Sequence, residues 1–168
     1  MPRASLPHIF RCILCPIDFS ANSRAALRYG ALLARLADAH LVVLYVEDPL
    51  LAAAMATRPA ARALVASGEA ELHRFVLGAV RGATPQPTLT VLTRIGNPAR
   101  EIVKTAAQHS CDLIVMGYRG AGRASRLLFG STTEGVMRTT SVPVVAVPPG
   151  RRQARLPGSS RAGLKRAS

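Results

Sequence analysis

The residues with most chemical promise form the segment Met116-Gly117-Tyr118-Arg119-Gly120, followed after nine intervening residues by Gly130-Ser131-Thr132. Glycines lack side chains, so their backbone N–H groups can close on an anion, and a helix start adds partial positive charge. Arg119 brings a guanidinium that can pair with phosphate oxygens. A chance match to G-x2-G-x9-G-[ST] in a chain of this composition arises about once in a hundred. The chemistry this spacing suits is phosphate cradling.

A second candidate is Asp18, a carboxylate directly after the apolar run Ile13 to Ile17. Such a group at the end of a strand can meet ribose, adenine or a nucleotide-bound Mg²⁺, or it can cap the helix that follows. Both readings stand at this level. The four histidines, His8, His40, His73 and His109, sit in no HExxH pattern, and no GxSxG nucleophile elbow occurs. The two lysines, Lys104 and Lys165, follow no GxxxxGK[ST] loop, which excludes the usual P-loop. Gly120-x-Gly122-x-x-Ser125 imitates a dinucleotide fingerprint but follows the fourth strand rather than the first. No catalytic residue is assigned.

Cys12-x-x-Cys15 has the spacing of a redox or metal motif, yet it falls inside an apolar run that reads as a strand. Residues three apart on a strand face opposite sides, and no second cysteine pair completes a zinc site. Three cysteines are also too few for a disulfide framework. These thiols read as ordinary buried ones.

The elements that must position these residues follow from periodicity and punctuation. Phe10 to Ile17 is a first strand; Ser20 or Asn22 caps a helix to about Ala39; Leu41 to Val46 is a continuous apolar run suited to a parallel strand covered on both faces. The stretch from Leu50 to Arg58 fits helix or loop, and a helix runs from about Ala60 to Val80. Thr88 to Ile95 is a third strand. Asn97 caps a further helix, with Pro98 in the first turn, where its missing N–H costs nothing. Cys111 to Met116 is the fourth strand, Ser131-x-x-Glu134 fits a capping box for a short helix to about Thr140, and Val142 to Val147 is the last strand, placed at an edge by Pro143. Alternation of this kind predicts an open, mostly parallel five-stranded α/β sheet with helices on both faces, and ligands outside the carboxyl ends of the strands. Asp18, Val46 and Gly117 all fall at such ends.

The 168 residues suit one domain over residues 1–150. Net charge is +13, and residues 151–168 contribute Arg151, Arg152, Arg155, Arg161, Lys165 and Arg166 without an acid. That Pro/Gly/Ser/Arg tail is expected to be disordered, and it could contact nucleic acid or an anionic surface. No apolar stretch reaches the roughly 20 residues of a membrane helix, and residues 1–19 lack a signal h-region, so a cytoplasmic protein is expected.

Ile13-Leu14-Cys15-Pro16-Ile17-Asp18-Phe19-Ser20, Gly96-Asn97-Pro98 with Glu101-Ile102, Asp112 to Gly117, Gly130-Ser131-Thr132 and Ser141 to Val145 together resemble the universal stress protein family, in its ATP-binding type, over about residues 8–148. The resemblance implies a Rossmann-like fold of the adenine nucleotide alpha hydrolase kind, usually a homodimer, here through the last strand. It implies ATP or AMP as ligand, with Mg²⁺ accompanying ATP and held by no protein site beyond a possible contact from Asp18. It implies a regulatory role in stress rather than robust turnover. Gly117, Arg119, Gly120, Gly130, Ser131 and Thr132 would surround phosphates and ribose, with Met116 just before them; Ile17 and Asp18 would border the nucleotide, Val46 would meet adenine through its backbone, and Thr133 would be a further contact. Two alternatives remain: a slow Mg-dependent ATPase, for which no convincing general base is present, and a nucleotide-independent dimeric adaptor with a nucleic-acid-binding tail.

Overall fold

In the computed structural model, residues 9–56, 61–81, 86–118 and 129–148 are described. The elements are β1 (Cys12–Ile17), α1 (Ala21–Ala37), β2 (His40–Glu47), α2 (Pro49–Ala56), α3 (Ala61–Val80), β3 (Leu89–Ile95), α4 (Pro98–Gln108), β4 (Leu113–Gly117), α5 (Ser131–Thr139) and β5 (Val144–Val147). The strands form one sheet in the order β3-β2-β1-β4-β5. Every neighbouring pair is parallel. The expected five-stranded α/β architecture is therefore present.

The central strand shows why. All six residues of β1 are buried, and the pleat sends alternate side chains to opposite faces. Ile13, Cys15 and Ile17 join Leu27 and Ala31 of α1 and Phe75 and Val76 of α3 in one apolar cluster. Cys12 and Leu14 join Ile102 and Ala106 of α4 and Val136 of α5 in the other. A strand covered on both faces has no polar alternation to show, and this is the reason β1, β2 and β4 read as continuous apolar runs.

Local chemistry sets the helix starts. Ser20 caps α1 by accepting the Ser23 N–H at 3.1 Å. Asn97 caps α4 by accepting the Arg100 N–H at 3.1 Å, with Pro98 as the first helical residue. The open question at residues 50–58 resolves as helix through Ala56: the Asp48 carboxylate accepts the Leu50 N–H at 2.7 Å, and its carbonyl accepts the Ala52 N–H.

Two expectations are corrected. Ser131 does not cap α5: Gly130 does, with extended dihedrals and its carbonyl accepting the Glu134 N–H at 2.9 Å, and among the described residues no side chain caps this helix. The helix begins one residue early because the strand-like backbone of Gly130 already delivers its carbonyl to the first turn. The last strand begins at Val144 rather than Val142. Pro143 precedes it and uses only its carbonyl, which accepts the Ile114 N–H at 2.9 Å, so its missing N–H is not felt.

Helices α4 and α5 pack closely at one glycine. A Cβ added at Gly135 would stand 2.9 Å from the Ala99 Cβ, a separation that forces the helices apart. Gly135→Ala is expected to destabilise by about 1–2 kcal/mol even though alanine is the better helix former by about 1 kcal/mol. Urea denaturation of G135A, and of G135A with Ala99→Gly restoring the space, tests this; a stabilised single variant would contradict it.

Cys15 is wholly buried, and burial pushes its thiol far above the ordinary range. The folded chain then keeps a proton that the unfolded chain releases above about pH 8.5, so this residue's contribution is whole below that pH. Above it, stability falls by up to about 1.4 kcal/mol per pH unit. The stability gap between wild type and Cys15→Ala is expected to narrow from about pH 8 to about pH 10. A constant gap would refute the assignment.

Candidate functional site

Three parallel strands stop at nearly the same level on the carboxyl edge of the sheet. β1 ends with Ile17 opposite Tyr45, so Val46 on β2 lies one residue past the β1–β2 ladder. β4 ends at Gly117, opposite Val147 of β5. Because β2 and β3 lie on one side of β1 while β4 and β5 lie on the other, the successive connections diverge there and leave a crevice.

That crevice is a cleft of about 110 Å³. Pro16, Ile17 and Asp18 line it from β1 and its exit, Val46 from β2, and Met116 and Gly117 from β4. Helix starts contribute Ser23 of α1, Pro98 and Ile102 of α4, and Thr132 and Thr133 of α5. Segments about a hundred residues apart in sequence meet here.

Asp18 is held at the rim by a bent backbone. Its carboxylate accepts the Ser20 N–H at 3.1 Å, and its own N–H donates to the Ser23 hydroxyl at 3.3 Å. The next residue, Phe19, has φ of 61°, a left-handed conformation costing about 1–3 kcal/mol for a bulky residue. Its ring is gripped by Tyr45 and Phe75, with centroids 4.9 and 5.3 Å away, and Arg24 lies 4.1 Å over the Phe75 ring. This aromatic anchorage offsets the strain and turns the chain so that Asp18 stays at the cleft while Ser20 opens α1. The helix cap is Ser20, and Asp18 lines the cleft.

Thr133 secures the other wall. It is buried, and its hydroxyl donates to the Gly117 carbonyl at 3.0 Å, tying the start of α5 to the end of β4. Among the described residues no side chain caps α5, and the first backbone N–H groups of that helix stand beside Thr132 and Thr133 at the cleft. An uncapped helix start of this kind suits an anion or a ligand hydroxyl.

Of the residues expected at a ligand site, Ile17, Asp18, Val46, Met116, Gly117, Thr132 and Thr133 line the cleft. Gly130 and Ser131 lie next to it in the chain without lining it. Arg119 and Gly120 lie outside the described residues, as do Arg123, Arg126 and the basic segment 151–168. Pro16, Ser23, Pro98 and Ile102 were not anticipated. Pro98 and Ile102 had a readable signal: Asn97-Pro98 starts a helix right after β3, and every helix that follows a strand in such a sheet begins on the carboxyl edge. Among the described residues, no group of three or more His, Cys, Asp or Glu is placed to hold a metal ion, and no helix is long and apolar enough to cross a membrane.

The fold and cleft define a one-sheet, parallel α/β protein with a crevice at its strand-order reversal. The chain belongs to the universal stress protein family, whose sequence profile matches residues 10–148. A universal stress protein of Mycolicibacterium smegmatis is 32% identical over 140 residues, covering 80% of this chain; the chain spans 47% of that relative's length. Universal stress protein UspA from Lactobacillus plantarum superposes with a TM-score of 0.66 at 26% identity, covering 82% of this chain and 97% of that one. More distant structures share the fold. One is a universal stress protein in complex with cAMP, at TM-score 0.61 and 23% identity over 84% of this chain and 98% of that one. Another is the Archaeoglobus fulgidus universal stress protein in complex with dAMP, at TM-score 0.56 and 17% identity over 84% and 99%.

Proposed function

We propose that this chain binds an adenine nucleotide, ATP foremost, in the cleft between the ends of β1, β2 and β4, and that occupancy governs a regulatory role in the stress response. The observation that carries the reading is the convergence of Asp18, Val46, Gly117, Thr132 and Thr133 on one cleft at the switch point of the sheet. Ile17, Val46, Ile102 and Met116 supply apolar walls for a base, Asp18 an acceptor for a sugar hydroxyl or an exocyclic amine, and the start of α5 donors for a phosphate. A space of about 110 Å³ is below the roughly 300 Å³ of pockets that enclose a whole drug-sized ligand. It therefore suits the nucleoside portion, with phosphates reaching past Gly117 and the start of α5. Mg²⁺ would come with ATP, screening phosphate charge beside Asp18. That proteins of this fold have been obtained with cAMP and dAMP supports the ligand class at the level of the fold.

In the same reading the protein is cytoplasmic and a homodimer. Among the described residues β5 is an edge strand with no partner on one side, and a second copy can pair there. Calorimetric titration with ATP, AMP, cAMP and GTP at about 0.15 M salt tests the nucleotide reading. The salt matters because a net charge of +13 attracts any polyanion. Saturable binding of one adenine nucleotide per chain, with GTP at least about tenfold weaker (about 1.4 kcal/mol), is the expected result. Equal, unsaturable and salt-labile uptake of ATP and GTP would sink the proposal.

A further inference from the structure

At the opposite edge of the sheet, the sulfurs of Cys12 and Cys111 lie 2.9 Å apart, joining positions 99 residues distant in sequence. A disulfide bond is about 2.05 Å long, so closure needs a short sulfur displacement and no new fold. The backbone around the pair is already clamped. The Asp112 carboxylate accepts the Arg11 N–H at 2.9 Å and the Cys12 N–H at 3.2 Å, and the Asp112 N–H donates to the Cys12 carbonyl at 2.9 Å. These three bonds hold both cysteine backbones in one register. We propose that Cys12 and Cys111 form an oxidation site, closing to an intramolecular disulfide when the protein meets a small hydroperoxide.

The two thiols differ from the third. Cys12 is 8% exposed and Cys111 5%, whereas Cys15 is 0% exposed and belongs to the apolar cluster on the other face of β1. All three thiols are buried, but the pair lies nearer the surface than Cys15. Burial pushes both paired thiols up from the ordinary range, and the hydrogen bond between them partly counters this at Cys12, so both are poor thiolates. Reaction is accordingly slow and calls for sustained oxidant.

In the first step Cys12 sulfur attacks one peroxide oxygen; the S–O bond forms, the O–O bond breaks, and the leaving oxygen takes the Cys12 proton and departs as water or alcohol. In the second, Cys111 sulfur attacks Cys12 sulfur; the S–S bond forms, the S–O bond breaks, and hydroxide leaves with the Cys111 proton as water. Two thiols lose two electrons, and one hydroperoxide gains them. The bond encloses α1 to α4 in a closed loop and so restrains the unfolded chain.

The test treats the native protein with hydrogen peroxide, then counts free thiols by maleimide uptake in denaturant and intact mass. The three thiols are free before treatment. Afterwards one maleimide is expected, on Cys15, in a monomolecular product lighter by two hydrogens. A Cys12–Cys111 linked peptide, recovery of full uptake by dithiothreitol, and a thermal midpoint raised by on the order of 10 °C should accompany it. Cys111→Ser should show neither the linkage nor the gain. Full maleimide uptake after treatment, a linkage through Cys15, linkage only between chains, or oxygen addition without linkage would each overturn the proposal. The wild-type thiol count decides the matter even if the variant folds poorly.

Discussion

Exchanging Asp18 for asparagine is expected to weaken ATP binding by about tenfold to a hundredfold while the fold persists. Hydrogen bonds made by a charged group contribute about 1.5–3 kcal/mol, and each 1.4 kcal/mol is a factor of ten in affinity. Asparagine keeps one oxygen, which can still accept the Ser20 N–H that Asp18 now accepts at 3.1 Å, so the turn into α1 has no reason to open. What disappears is the negative charge and one acceptor at a cleft-lining position. Calorimetry of D18N against wild type gives the affinity, and thermal unfolding without ligand gives the stability. Equal affinity would remove Asp18 from the binding site; a large drop in stability would show that its role is the turn alone.

Replacing Leu14 with alanine should cost about 3–4 kcal/mol of folding stability and lower the thermal midpoint by on the order of 10 °C. Leu14 sits in the middle of the central strand, fully buried, in the cluster with Val42, Ile102, Ile114 and Val136. Strands flank it on both sides and two helices cover its face, so the surroundings cannot collapse into the space left behind. A loss of this size is a large share of the roughly 5–15 kcal/mol that holds a domain together. Leu36→Ala on the outer face of α1, where the residue is 72% exposed, is expected to change stability by only about 0.5 kcal/mol. Urea denaturation of both variants checks the contrast. A loss below about 1 kcal/mol at Leu14 would mean that this face is loosely packed.

The strands and most helix limits were legible because their causes are local. Of the two candidates Ser20 and Asn22, Ser20 caps α1, and Asn97 caps α4 as expected; the apolar run ending at Ile17 ends with β1, while that ending at Val46 stops one residue short of the end of β2. The start of α5 was misread because Ser131 and Glu134 satisfy the capping-box spacing, while the cap itself is a backbone carbonyl at Gly130. No side-chain pattern reveals which carbonyl closes a first turn. The strained Phe19 was invisible for a related reason: nothing in Asp-Phe-Ser announces a positive φ at an aromatic residue, and the rings that hold it, Tyr45 and Phe75, come from β2 and α3.

Residue spacing alone determined the alternation of strands and helices, the mostly parallel character that follows from it, and which residues fall at the carboxyl ends of the strands. Those are consequences of periodicity, capping and the handedness of crossovers, which act over a few residues to a few turns. Only the tertiary structure decided the strand order β3-β2-β1-β4-β5, because it depends on which buried faces match. That order places Asp18 and Val46 beside Gly117 and Thr133, and it brings Pro98 and Ile102 to the same cleft. It also lays Cys12 against Cys111, a pairing that the conspicuous Cys12-x-x-Cys15 spacing concealed, since a strand turns those two side chains to opposite faces and leaves the true neighbour a hundred residues away.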